Sequence, residues 1–273
     1  GCLGGICGTG PVAFLVEKIG WRNSTYILSA IVVILLIATT LFRPNPKPSP
    51  ENKTMELKLL SGLKAIAKNP KAWIAGFYGA ISYLPLSAMA ELWGIPFMEQ
   101  RYGISTEKAS ISSMLIFIGF GLGGIFTAKI AEKINSYKKT IIISSALMLV
   151  TFTVAIYSNS IGYYSYLSLI LILGVCSGTN TLTFTLASAL VPKEFMGTST
   201  GFMNMLIMSS GILFQSLLGK LLDFFRNGLV TDSGEPIYNI TMYRSAFLVI
   251  ALSMIFAVIA ALFINDIKRK EEK

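Results

Sequence analysis

Lysines and arginines in this chain are confined to the gaps between long apolar runs, and that pattern most constrains what it can fold into. Eight runs free of Lys and Arg can be read, over residues 1–15, 23–42, 72–98, 109–128, 140–157, 161–191, 195–219 and 245–265. An α-helix rises 1.5 Å per residue, so about 20 apolar residues cross a bilayer's hydrocarbon core. Only 14% of the 273 residues are charged, against about 25% in a soluble domain. Mean hydropathy is +0.64. These numbers predict an all-α polytopic membrane protein with eight transmembrane helices. The run 161–191 is too long for one upright span and is expected to tilt or to include an interfacial helix.

The chain opens on Gly, inside an apolar run, with no signal peptide legible. We therefore expect a fragment whose N-terminal part is missing. Histidine is absent, which removes His-based acid–base chemistry and His metal ligands together. Cys2, Cys7 and Cys176 show neither a zinc spacing nor a disulfide framework and read as small apolar fillers. No metal and no cofactor is expected. A membrane-embedded enzyme would need a nucleophile–base pair or a metal cluster, and neither is legible.

The basic residues set an orientation. Sixteen of the 23 Lys and Arg fall on one side: the stretch from Arg43 to Lys71, the group Lys129, Lys133, Lys138 and Lys139, then Lys193, and the tail from Lys268 to Lys273. That side is expected to be cytoplasmic, with the C-terminus inside. A net charge of +9 distributed between spans in this way does not describe a nucleic-acid-binding face. The linker 43–71 begins RPNPKPSPENK, an extended proline-rich stretch. Its second half, MELKLLSGLKAIAKNP, has apolar residues at helical spacing with Lys between them, as in a surface-lying amphipathic helix. The expected organisation is two helices over 1–42, a basic cytoplasmic linker over 43–71, a six-helix bundle over 72–265 and a solvated tail over 266–273.

The span 72–98 carries the strongest functional signal. Pro85 and Pro96 interrupt it, and Glu91 sits among apolar neighbours with no Lys or Arg between Lys71 and Arg101. An ionisable group at membrane depth is costly and is a functional candidate by default. Tyr83, Ser87 and Glu91, spaced four apart, share a helix face. Glu91 is read as a proton-coupling carboxyl. The alternative is a carboxylate that snorkels to water or caps a broken helix.

Elsewhere Ser177, Thr179, Asn180 and Thr181 cluster at mid-depth of their run, and Asn180 is the candidate to bind a polar solute. Close helix packing explains the threonines better. Asn204, Met208, Gly211 and Gln215 form a wettable stripe, or one that bonds helix to helix. Tyr78 and Trp93 are candidate cavity aromatics, though Trp93 also suits an interfacial belt. Gly119, Gly121, Gly123 and Gly124 are read as close-packing or hinge positions.

Several local pieces carry a family resemblance. Gly10-Pro11 followed by Gly20-Trp21-Arg22, then Tyr102-Gly103-Ile104-Ser105, then GIFTAKIAEKINSYKK from Gly124, and finally Pro192, Gly197, Gly201 and Asn204 occur in the order found in the major facilitator superfamily. Two spans, a long basic linker and six spans resemble spans five to twelve of such a transporter. The resemblance implies helical bundles rocking about a central site, each built from inverted three-helix repeats. It also implies that Glu132 and Lys133 lock the inner gate through charge pairs; an ordinary solvated pair is the alternative. More loosely, ELWGIPFMEQRYGIS and FQSLLGKLLD resemble phagosomal transporters of intracellular bacteria, which import amino acids and related nutrients.

The expected function is secondary active transport of a small polar metabolite across a bacterial inner membrane by alternating access, with proton coupling. The partners implied are a small-molecule solute and the bilayer, with no nucleic acid, and the chain is expected to act as a monomer once its missing helices are present. The competing readings are an organic-anion or sugar permease, a non-transporting receptor or assembly protein, and an inactive remnant.

Overall fold

Helix starts follow the polar residues that precede each apolar run. The computed structural model describes residues 2–42, 52–226, 228–230, 236–264 and 266, with the backbone alone over 52–58. Asn69 caps the helix Pro70–Leu84 (α3) by accepting from the Lys71 amide at 3.0 Å, with Pro70 in the first turn, where no intrahelical N–H is needed. Ser105 and Ser136 do the same for Thr106–Lys133 (α5) and Tyr137–Tyr157 (α6), and Asn239 for Ile240–Phe263 (α10). The remaining helices are Cys2–Leu41 (α1), Asn52–Ala67 (α2), Gly94–Tyr102 (α4), Tyr163–Ser177 (α7), Asn180–Ser188 (α8) and Met196–Arg226 (α9).

Among the described residues, six helices are long and apolar enough to cross a membrane, with α7 and α8 together, Tyr163–Ser188, making one of them. All eight expected runs are helical, and the lower count arises in two places, each for a local reason. The first two runs both fall in α1, which is two helices joined by a kink at Gly20, whose φ of 78° and ψ of 160° suit only a residue without a Cβ. The run 72–98 is divided among α3, a π-helical segment Pro85–Trp93 and α4, none of which alone reaches spanning length. The two prolines therefore do not break the chain out of helix. Pro85 opens the wider π turn and Pro96 lies in the first turn of α4, where a missing N–H costs least.

The overlong run 161–191 resolves into α7 and α8, offset at Gly178 and Thr179. Close approach of α5 to this offset explains the glycines there. A Cβ on Gly123 would lie 2.1 Å from the Val175 carbonyl oxygen, and one on Gly178 would lie 2.4 Å from the Gly123 backbone. Small residues let two backbones meet in this way where no hydrophobic force drives helices together.

The larger of two buried apolar clusters includes Phe97, whose ring lies 5.5–6.3 Å from those of Tyr166, Tyr243 and Phe247, and the smaller joins Ile66 and Ala72 to Phe202 and Met203. At one end of the bundle, Arg101 of α4 and Arg244 of α10 converge on the last turn of α6. Arg101 donates to the Ala155 carbonyl and, at 2.6 Å, to that of Ser158; Arg244 donates to Ile156 at 2.9 Å. Two guanidinium groups at a helix C-terminus satisfy carbonyls that have no intrahelical partner and oppose the helix dipole. At the opposite, lysine-rich end, Asp266 accepts from the Ser136 hydroxyl and from the Lys138 amide at 3.2 Å, so an anion sits at the α6 N-terminus.

The amphipathic helix expected in the linker is α2. It packs through Gly62 and Ile66 and leaves Leu59, Leu60 and Leu63 exposed. The proline-rich stretch 43–51 and the tail 267–273 lie outside the described residues. α1 touches the bundle through its first half, where Gly5 meets Phe117 and Gly10 meets Met114. Beyond Gly20 it exposes Ile31, Val32, Val33 and Ile34, an apolar surface all round that suits lipid.

Candidate functional site

Glu91 lies in the last turn of the π segment, exposed, with no cation beside it. Its Oε1 accepts from the Tyr83 hydroxyl at 2.8 Å and its Oε2 from the Gln215 amide at 3.2 Å. The same Gln215 nitrogen donates to the Ser87 carbonyl at 3.0 Å, tying α9 to the π segment. Tyr83, Ser87, Glu91 and Gln215, chosen from two separate runs of sequence, thus meet at one place. The Ser87 side chain is buried and takes part only through its backbone. Among the described residues the one ion pair is Arg226–Asp223, at 3.7 Å, so the Glu91 carboxyl is held by neutral donors alone.

Glu91 also lines a cavity of about 640 Å³ between α1, the π segment and the start of α5. Thr9, Glu17, Ser105 and Glu107 contribute polar groups to its wall, and Val12, Val16 and Ile95 apolar ones; no Lys or Arg lines it. Sequence reasoning missed the partners on α1 and α5, because nothing in either run marks which face will meet the π segment. The π segment itself was also unforeseen, although two prolines eleven residues apart around a carboxyl were a usable sign. π turns recur at functional sites because the widened helix redirects side chains.

A second group of the sequence-predicted residues lies inside the bundle. The Tyr78 side chain is fully buried, its hydroxyl 2.8 Å from that of Thr179 and accepting from Ser145 at 3.3 Å. Asn180 donates to the Gly79 carbonyl at 2.7 Å and to Ser82 at 3.3 Å. Ser177 donates to the Leu173 carbonyl. Thr181 and Thr183 bond back to carbonyls three residues earlier, those of Gly178 and Asn180, the usual resort of hydroxyls in apolar surroundings. These side chains join α3 to α6, α7 and α8.

Asn204 is exposed, with no hydrogen bond to its amide among the described residues, on the same stripe of α9 as Gln215. Trp93 is half-buried near Gly219, its indole N–H buried without an acceptor. Glu132 and Lys133 are exposed at the end of α5 and form no ion pair among the described residues. Between α9 and α10, Tyr238 donates to Asp223 at 2.8 Å. Burial, and then that carboxylate acceptor, raise its phenol above the ordinary value. Among the described residues no group of three or more His, Cys, Asp or Glu could hold a metal.

Apolar helices of spanning length, packed through glycine seams and carrying one hydrogen-bonded carboxyl within a span, define a multi-pass membrane protein. The family model of the Major Facilitator Superfamily matches residues 1–215, and the chain belongs to that family. Two solved structures are similar in fold, both of a bacterial homologue of the human lysosomal transporter Spinster in an inward-facing conformation. The unoccupied form aligns with a TM-score of 0.55 at 12% identity, and the occupied form with 0.59 at 13%. Each alignment covers 96% of this chain and 62% of the other, so the chain spans less than two thirds of the length of either. No curated protein matches.

Proposed function

We propose that this protein is a secondary transporter that moves a small polar metabolite, of amino-acid type, across a bacterial inner membrane by alternating access coupled to protons. In this reading residues 1–42 belong to one bundle and residues 72–265 form the bundle that rocks against it, with 43–71 as tether. Membership of a family of transporters supports this over a membrane-embedded enzyme. The observation that carries the coupling is the Glu91 carboxyl, bonded to Tyr83 and Gln215 at the edge of a cavity with no cation beside it.

A carboxyl held by neutral donors takes up a proton without breaking an ion pair. Protonation removes most of the desolvation cost of carrying it through a closed state. The charged form holds Tyr83 and Gln215 by charge-assisted bonds, and the neutral form holds them more weakly. Loading with a proton therefore loosens α9 from the π segment, which is the movement a rocking bundle needs. Glu91 meets the solute at the cavity wall in this reading, Tyr83 and Gln215 hold its carboxyl, and Tyr78, Ser177 and Asn180 brace the helices behind them. A cavity wall with carboxylates and no basic side chain suits a neutral or zwitterionic solute better than an organic anion.

The test is uptake of labelled amino acids into proteoliposomes with an imposed proton gradient. Glu91→Gln should abolish gradient-driven accumulation while leaving solute exchange intact. Normal pH-dependent accumulation by that variant would rule out the role of Glu91.

A further inference from the structure

Three depressions on the outside of the bundle run into one another at its lysine-rich end. α3, α8 and α10 surround a cavity of about 290 Å³ whose wall carries Lys71 and Asp266. Ile74 and Phe263 belong both to this wall and to an apolar crevice of about 560 Å³ between α3 and α10. Trp73, Phe77 and Phe256 line that crevice and continue it into a further pocket of about 270 Å³ against α9. The three adjoin through these shared walls and together form a groove along α3 and α10, with Lys71 and Asp266 at one end and apolar residues predominating along the rest.

The polarity of this groove matches its surroundings. It runs along helices that span the membrane, and its charged end lies where α2 ends and α3 and α6 begin, among Lys64, Lys68, Lys71, Lys138 and Lys139. Trp73 is fixed at the junction, with its indole N–H on the Ala67 carbonyl at 2.7 Å and its ring edge-on to Phe202 at 5.3 Å. Indole rings favour this depth, at the boundary of headgroup and acyl chain.

The charges at the head of the groove are one of each sign. Lys71 is exposed and forms no ion pair among the described residues. Asp266 is also exposed and accepts from Ser136 and the Lys138 amide, which leaves carboxylate lone pairs free. One ammonium and one carboxylate complement a phosphate and a primary ammonium. A quaternary ammonium has no N–H to give the carboxylate, and a headgroup without an ammonium leaves Asp266 without a charged partner. We propose that this groove is a binding site for a phosphoethanolamine-headed lipid, with its phosphate on Lys71, its ammonium on Asp266 and an acyl chain along Trp73, Phe77 and Phe256.

The chain has three tryptophans, so Trp21→Phe with Trp93→Phe leaves Trp73 as sole reporter. Quenching of Trp73 by lipids with brominated acyl chains measures association at this groove. Brominated phosphatidylethanolamine should associate about three- to fivefold more tightly than the phosphatidylcholine analogue, the size expected of exposed charge pairs. Lys71→Ala and Asp266→Asn should each bring that ratio toward one. Asp266 also holds the start of α6, so Lys71→Ala, on an exposed side chain with no ion pair to lose, is the variant free of folding effects. Equal association of the two lipids, tighter association of phosphatidylglycerol, or a preference that survives both substitutions would overturn the proposal.

Discussion

Glu91 is bound by two neutral donors, and the chemistry assigned to it depends on that. A hydrogen bond to a charged acceptor contributes about 1.5–3 kcal/mol when both groups are buried, and much less where water can replace the lost donor. Glu91 is exposed, so removing one donor should disturb its function more than the fold. Tyr83→Phe is expected to lower proton-driven accumulation while moving Tm by no more than about 4 °C, within the range of a sub-kilocalorie change in a chain this long. Flux assays beside thermal unfolding in detergent check both halves. A large loss of Tm with normal flux would place Tyr83 among the packing residues instead.

At the scale of the element, the π segment is the least ordinary part of the molecule, and Gly94 shows what it requires. A Cβ there would lie 2.0 Å from the carbonyl oxygen of Met89, one wide turn earlier. The obstructing atom is backbone, so it cannot swing aside as a side chain would. Gly94→Ala must therefore displace the turn, and overpacking of this kind costs about 1–3 kcal/mol. We expect a measurable fall in Tm, together with altered coupling, because Glu91 lies three residues earlier on the same turn. An unchanged Tm would show that the turn relaxes freely between π and α geometry.

The whole molecule is polarised by its basic residues. Arg101 and Arg244 tie α4 and α10 to the end of α6 on one side, and Asp266 holds the start of α6 on the other. Lys129, Lys133, Lys138 and Lys139 gather at the second end, with the linker. The excess of Lys and Arg there predicts that this end faces the cytoplasm. Green fluorescent protein fused after Lys273 should therefore fluoresce, and alkaline phosphatase at the same place should be inactive. The opposite pair of results would invert the orientation.

How much of this was legible in the sequence varies with the kind of interaction. Apolar runs, capping residues and the glycines of α5 act through local pattern or size, so they could be read along the chain. Glu91, Tyr83 and Ser87 could be placed on one face because residues four apart lie one above the other on a helix. Gln215 could be nominated from its own stripe, but not paired with Glu91, since 124 residues separate them. The same limit hid the interior bonds of Tyr78 and Asn180. A tyrosine or asparagine within a span reads alike whether it faces a solute or a neighbouring helix.

The sequence alone determined that the chain crosses membranes as helices. In lipid every backbone N–H and C=O must be satisfied within the protein, and composition decides which runs can enter. Only the tertiary structure decided that Pro85–Trp93 widens into a π segment, that Glu91 meets Gln215, and that Asn180 turns inward to α3. Those outcomes depend on steric fit and hydrogen bonding between helices distant in sequence, which no single run encodes.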